Sequence, residues 1–100
     1  MGEAGGMKMN KSFTGILGES PTVKMWEFLL LGRNFEYHIK DIANGAGISR
    51  PTCHAELKKM QQKRLVVKGG KHKGKQLYKL NKKSPIARAM IRAFHNILYN

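Results

Sequence analysis

One hundred residues bound a single domain with a modest core, and 19 Lys/Arg against six Asp/Glu give the chain a net charge of +13. The charge is unevenly spread: positions 1–56 carry six cations and six acids, whereas positions 57–100 carry thirteen cations and no acid. A half-chain without acids repels itself unless a polyanion is close, which points to nucleic acid. No apolar run reaches the ~20 residues of a membrane span, and the lone Cys53 excludes an intrachain disulfide and fits a reducing cytoplasm.

In chain order, residues 1–12 hold three glycines and no apolar period and read as a flexible arm, and residues 13–17, FTGIL, suggest a strand-like entry segment. Ser20 and Pro21 form a helix start, and Val23, Trp26, Leu29 and Leu30 give the following stretch to about Leu31 an apolar face ended by Gly32 and Asn34. Phe35, Glu36 and Tyr37 form a brief extended piece. Ile39, Ile42, Ala43 and Ala46 then mark a two-turn helix closed by Gly45 and Gly47. Ser49 caps a third helix, with Pro51 in its first turn and Cys53, Leu57 and Met60 on one face, running to about Lys63. The short, Gly-containing connection before it suits a helix-turn-helix. The period next falls to 2. Residues 65–68 and 76–80 read as strands around GGKHKGK at 69–75, a hairpin with a flexible tip. Ser84 and Pro85 start a last helix, to about Tyr99, with a stripe of Ile86, Met90, Ala93, Phe94, Ile97 and Leu98.

This order of elements, with DIANGAGISRPTCHAELKKMQQKRLVV at 41–67 followed by the basic hairpin and YKLNKKSP, resembles the winged helix-turn-helix domain of small archaeal transcriptional regulators of the ArsR/MarR-like group. The likeness is good over residues 21–80 and looser over the last helix. Arg64 stands where the family carries a Gly before the first wing strand. The resemblance implies an α+β, mainly α fold: a three-helix core, a two-stranded β-hairpin wing and an additional C-terminal helix. Residues 13–83 would form the DNA-binding domain. The resemblance further implies that the third helix enters the major groove of double-stranded DNA and that the wing lies on the adjacent minor groove or backbone.

Helical phase agrees. At 100° per residue Cys53, Leu57 and Met60 share one direction, and Pro51, Ala55, Lys58, Lys59 and Gln62 point roughly the other way. Groove-reading helices contact bases through their first turn. Arg50 can pair with guanine, Thr52 can hydrogen-bond or touch a thymine methyl, His54 flanks this face, and Ser49 with the helix N-terminus can hold a phosphate. Lys58 and Lys59 suit phosphates. The wing adds Lys68, Lys71, His72, Lys73 and Lys75, each phosphate contact steepening the salt dependence by about 0.9. Cys53, on the apolar face, reads as a structural thiol. His38, His54, His72 and His95 show no metal-ligand spacing, and no catalytic set or phosphate-cradling loop stands out, so neither metal, cofactor, small-molecule ligand nor enzymatic activity is expected.

The last helix, residues 84–100, either folds back as core or pairs with a second copy; the apparent closure of the preceding elements favours the pairing, with Trp26 joining Ile86, Met90, Ala93, Phe94, Ile97 and Leu98 at a homodimer interface and Phe28 nearby. A twofold dimer spaces two recognition helices by about 34 Å, one DNA turn. The expected function is a homodimeric, sequence-specific transcriptional regulator, a repressor by promoter occupancy. A chromatin-like architectural protein and a winged-helix module for protein or RNA are the alternatives.

Overall fold

The computed structural model describes residues 13–99, so the expected N-terminal arm lies outside the described residues. The elements run α1 (Phe13–Leu17), α2 (Pro21–Leu31), α3 (Ile39–Ala46), α4 (Arg50–Gln62), β1 (Val66–His72), β2 (Lys75–Leu80) and α5 (Pro85–Tyr99). Among the described residues no helix is long and apolar enough to cross a membrane.

Three helix starts, those of α2, α4 and α5, follow from serine caps. Ser20 takes an extended conformation and its Oγ accepts the Val23 amide at 3.2 Å, with Pro21 in the first turn, where its missing N–H costs nothing. The Ser49 Oγ accepts the Thr52 amide at 3.3 Å, and the Ser84 Oγ accepts that of Ala87 at 3.2 Å. At the other end of α3, Gly47 sits in the left-handed region at φ 74°, and its N–H returns to the Ala43 carbonyl at 2.9 Å. That left-handed residue turns the chain sharply from α3 into α4.

The core lies where α2, α3 and α4 meet. Met25, Leu29, Leu30, Ile42 and Cys53 are fully buried there, each large aliphatic side chain contributing roughly 1.5–3 kcal/mol relative to exposure. Val66 and Leu80 carry this core beneath the antiparallel hairpin. A third short segment joins the hairpin: Tyr37 and Tyr78 exchange backbone hydrogen bonds of 2.9 and 2.8 Å, so the extended piece after α2 is fastened to β2.

Four expectations are corrected. Residues 13–17 are helical: Phe13 is buried edge-on to Phe94 at 5.2 Å, and the Thr14 amide donates to Glu27 at 3.0 Å, so packing overrides the β-leaning composition. Gly45 lies inside α3 rather than closing it, because a Cβ there would meet the Phe28 ring at 2.1 Å. The hairpin has no seven-residue tip. The strands extend to His72 and Lys75, leaving Lys73 and Gly74 as a two-residue turn with φ of 53° and 78°. The glycines at 69 and 70 sit within β1 as a bulge, marked by the register shift between Lys68 and Lys71. Finally, Phe94 and Trp26, expected at a dimer interface, are only 2% and 9% exposed and belong to the chain's own core, into which Ala87 also packs.

The turn after α4 explains the departure at Arg64. The chain leaves the helix with Arg64 at φ 58°, a conformation glycine adopts without strain. The adjoining Leu65 amide reaches the Met60 carbonyl at 2.8 Å, and Asn81 Nδ2 caps the Arg64 carbonyl at 2.8 Å. These bonds hold a side chain where a glycine would serve.

Candidate nucleic-acid interface

The buried stripe of α4 comprises Cys53, Glu56, Leu57 and Met60, so the helix presents Arg50, Pro51, His54, Ala55, Lys58, Lys59 and Gln62 to solvent, with Thr52 half-buried beside them. Ala55 leaves the middle of this face low, and the cations rise at both ends. The Ser49 hydroxyl is engaged: it donates to Thr52 Oγ1 at 2.9 Å while accepting the Thr52 amide. Its proton being used there, the outward hydroxyl donor of the first turn is that of Thr52.

Glu56 is a functional neighbour that sequence reasoning passed over. It is nearly buried, accepts the Thr22 hydroxyl at 2.7 Å and pairs with Lys59 at 3.4 Å. It thereby staples the exposed helix to the start of α2 and draws Lys59 toward itself, leaving Lys58 as the less encumbered cation. The signal was available. Glu56 lies three residues after Cys53 and four before Met60, which puts it within about 60° of both on the helix.

Lys68, Lys71, His72, Lys73 and Lys75 are all exposed on the hairpin. Its root is fixed by Glu36, whose Oε1 accepts the Gly70 amide at 2.8 Å and whose Oε2 lies 3.8 Å from Lys79 Nζ. A Cβ on Gly69 would meet that carboxylate at 2.2 Å, so a larger residue there would displace the Glu36 side chain from its bond to Gly70. Gln76 Nε2 completes the bulge by donating to the carbonyls of Gly69, at 2.9 Å, and Gly70, at 3.2 Å.

Helix and hairpin are joined by an open cleft of about 660 Å³ lined by His38, Lys40, Asp41, Arg50, His72, Lys73, Lys75, Gln76 and Tyr78. Arg50 at the start of α4 and Lys73 at the hairpin turn thus face one concavity, dominated by cations. His38 and His72, which sequence spacing left unrelated, come together here as a tilted pair, ring centroids 5.7 Å apart with 41° between the planes. His38 Nδ1 is buried without a hydrogen-bond partner among the described residues. Also among the described residues, no three His, Cys, Asp or Glu converge as a metal site. Cys53 is fully buried, its thiol 3.8 Å from both Met25 Sδ and the Ile39 carbonyl, and burial pushes its pKa up.

Neither a family model nor a curated protein sequence matches the chain. Solved structures do. MepR, a transcription regulator of the Staphylococcus aureus multidrug efflux pump MepA, superposes with a TM-score of 0.64 at 14% identity, over 96% of this chain and 71% of that one. A MarR-family transcriptional regulator from Silicibacter pomeroyi superposes with a TM-score of 0.58 at 19% identity, over 96% of this chain and 62% of that one. The fold is a winged helix-turn-helix. In the winged-helix frame α3 and α4 are the helix-turn-helix pair, the β1–β2 hairpin is the wing, and Tyr37 supplies the short strand that docks the wing on the helices. The chain spans about two thirds of the length of these two neighbours.

Proposed function

We propose that the protein is a sequence-specific, double-stranded DNA-binding transcription regulator, a non-enzymatic repressor that acts as a homodimer in the cytoplasm. The observation that carries this reading is the continuous cationic surface from Arg50 through the 660 Å³ cleft to Lys73 and Lys75, set beside the low, exposed face of α4. A winged helix laid along a duplex on that surface puts Arg50, Thr52 and His54 against base edges, with Lys58 and the wing lysines on phosphates. The fold matches in regulators such as MepR support the same role.

The dimer is supported by apolar side chains that this chain leaves uncovered. Ile16 and Leu17 on α1 and Ile86 on α5 are more than half exposed, and Met90, Ile97 and Leu98 are only partly buried. Ala93 is also exposed on α5. Ile86→Glu, at a position 59% exposed, changes such an interface without disturbing the core, so sedimentation equilibrium should read a dimer for the native chain and a monomer for the variant.

The direct test compares binding to the DNA upstream of the protein's own gene with binding to a scrambled duplex across a salt series. Preference for the first by a factor of ~10³ or more is expected of a regulator. Equal affinity would replace it with the chromatin-like architectural reading, which the cation excess also suits, and no binding to either duplex would leave a protein or RNA interaction module. Arg50→Ala should cost about 1–3 kcal/mol and relax preference at one base pair only.

A further inference from the structure

The wing has a second face, turned away from the cleft that it shares with α4. Along β2, Gln76 and Tyr78 line the cleft shared with α4, and alternation turns Lys79, with its cross-strand partner Val67, to the opposite side. There a separate cleft of about 530 Å³ is walled by Arg33, Asn34, Phe35 and Glu36 from the α2–α3 connection, Val67, Lys79 and Leu80 from the hairpin, and Asn81, Lys82 and Lys83 from the link to α5.

Three features of this cleft go together. It sets four cations, Arg33, Lys79, Lys82 and Lys83, against the single acid Glu36, a net of +3. One cation is tied across it, Lys82 Nζ hydrogen-bonding Asn34 Oδ1, and Arg33 Nη1 donates back to the Leu30 carbonyl of the preceding helix at 3.1 Å. At its wall Phe35 is 65% exposed, an aromatic ring that the core does not use.

We propose that this cleft is a binding site for a small phosphorylated ligand with a planar ring, a nucleoside mono- or diphosphate. A phosphate monoester carries about −1.5 to −2 charges and several acceptor oxygens, which suits convergent lysines better than a single carboxylate does. The exposed Phe35 offers a stacking platform to any base, and the volume lies within the range of about 300–1,000 Å³ usual for small-molecule sites. The half-buried Val67 supplies apolar wall in the same cleft. This site is independent of the DNA-binding reading, because neither Arg50 nor the wing tip contributes to it.

The test is calorimetric titration of the full chain with ADP and, separately, pyrophosphate at about 0.15 M salt, where surface attraction is screened beyond roughly 8 Å. Lys82→Ala with Lys83→Ala should weaken both ligands at least tenfold. Phe35→Leu should weaken ADP fivefold or more and leave pyrophosphate unchanged. Lys73→Ala with Lys75→Ala should leave ADP unchanged. The altered side chains are exposed, and equal melting temperatures verify that the variants fold. The proposal is overturned if ADP gives no binding at millimolar concentration. It is equally overturned if ADP binding is lost in the wing-tip variant while persisting in the Lys82/Lys83 variant, or if Phe35→Leu leaves ADP untouched.

Discussion

Lys73 offers a perturbation whose effects on stability and on binding have opposite consequences. Together with Gly74 it forms the two-residue turn of the wing, and both residues have positive φ, 53° and 78°. Such a turn favours Asn-Gly, whereas a lysine in the left-handed region carries strain of the order of 1–2 kcal/mol. Asparagine is several-fold enriched there, and a factor of about three to five corresponds to roughly 0.6–1 kcal/mol. Lys73→Asn should therefore raise the melting temperature by about 2–8 °C for a domain of this size, read by calorimetry or circular dichroism. The same change removes one wing cation, so the slope of log affinity for DNA against log salt should fall by about 0.9. Lys73→Ala separates the two effects, because it loses the charge without gaining the turn preference: the slope should fall by the same ~0.9, with no stabilisation. An unchanged or lowered melting temperature for Lys73→Asn would refute the strained-turn argument, and an unchanged salt slope would remove Lys73 from the phosphate contacts.

Gly45→Ala should destabilise by about 1–2 kcal/mol in urea unfolding, since the ~1 kcal/mol gain in helix propensity is outweighed by overpacking against a Phe28 ring already backed by Tyr37 at 4.8 Å. Stabilisation would show that the ring yields freely. Glu56→Ala should cost about 1–2 kcal/mol through the lost Thr22 bond while freeing Lys59, so the DNA salt slope should steepen by up to about 0.9; an unchanged slope would show that Lys59 gains no phosphate. Burial raises the Cys53 thiol above its ordinary value of 9.0, so above about that pH the unfolded chain releases a proton that the native chain keeps. The contribution of Cys53 to stability is thus intact below pH 9 and lost as pH rises beyond it, by at most about 1.4 kcal/mol per unit; Cys53→Ser should show a flatter stability profile between pH 8.5 and 10, and an identical profile would count against the buried thiol.

What the sequence made readable were the features governed by local rules. The three Ser-Pro or Ser-x-Pro helix starts, the left-handed Gly47 and the apolar phase of α4 placed the helices to within a residue or two, because capping and periodicity act over four or five positions. The hairpin turn was hidden by composition. GGKHKGK reads as a loop, yet Gly69 and Gly70 remain in the strand, where a carboxylate 34 residues upstream of Gly70 accepts its amide and Gln76 holds both carbonyls. The helicity of residues 13–17 likewise depends on Phe94, far along the chain. At the interface, helical phase separated Cys53 from the exposed face, but the pairing of His38 with His72 and the diversion of Lys59 to Glu56 are tertiary facts.

The Glu36 contact bears on the order in which this molecule is assembled. The hairpin needs only its two-residue turn and bulge to zip, a process that such segments complete in roughly 1–10 μs. Its docking on the helical core adds long-range bonds, among them the Glu36–Gly70 bond spanning 34 positions, which forms only after the α2–α3 connection has been placed by that core. A wing without Glu36 would still pair its strands and keep the Tyr37–Tyr78 bonds, but would have lost the side-chain tie at Gly70. Glu36→Ala should then leave the folding rate nearly untouched and speed unfolding, the signature of a contact made after the rate-limiting barrier has been crossed.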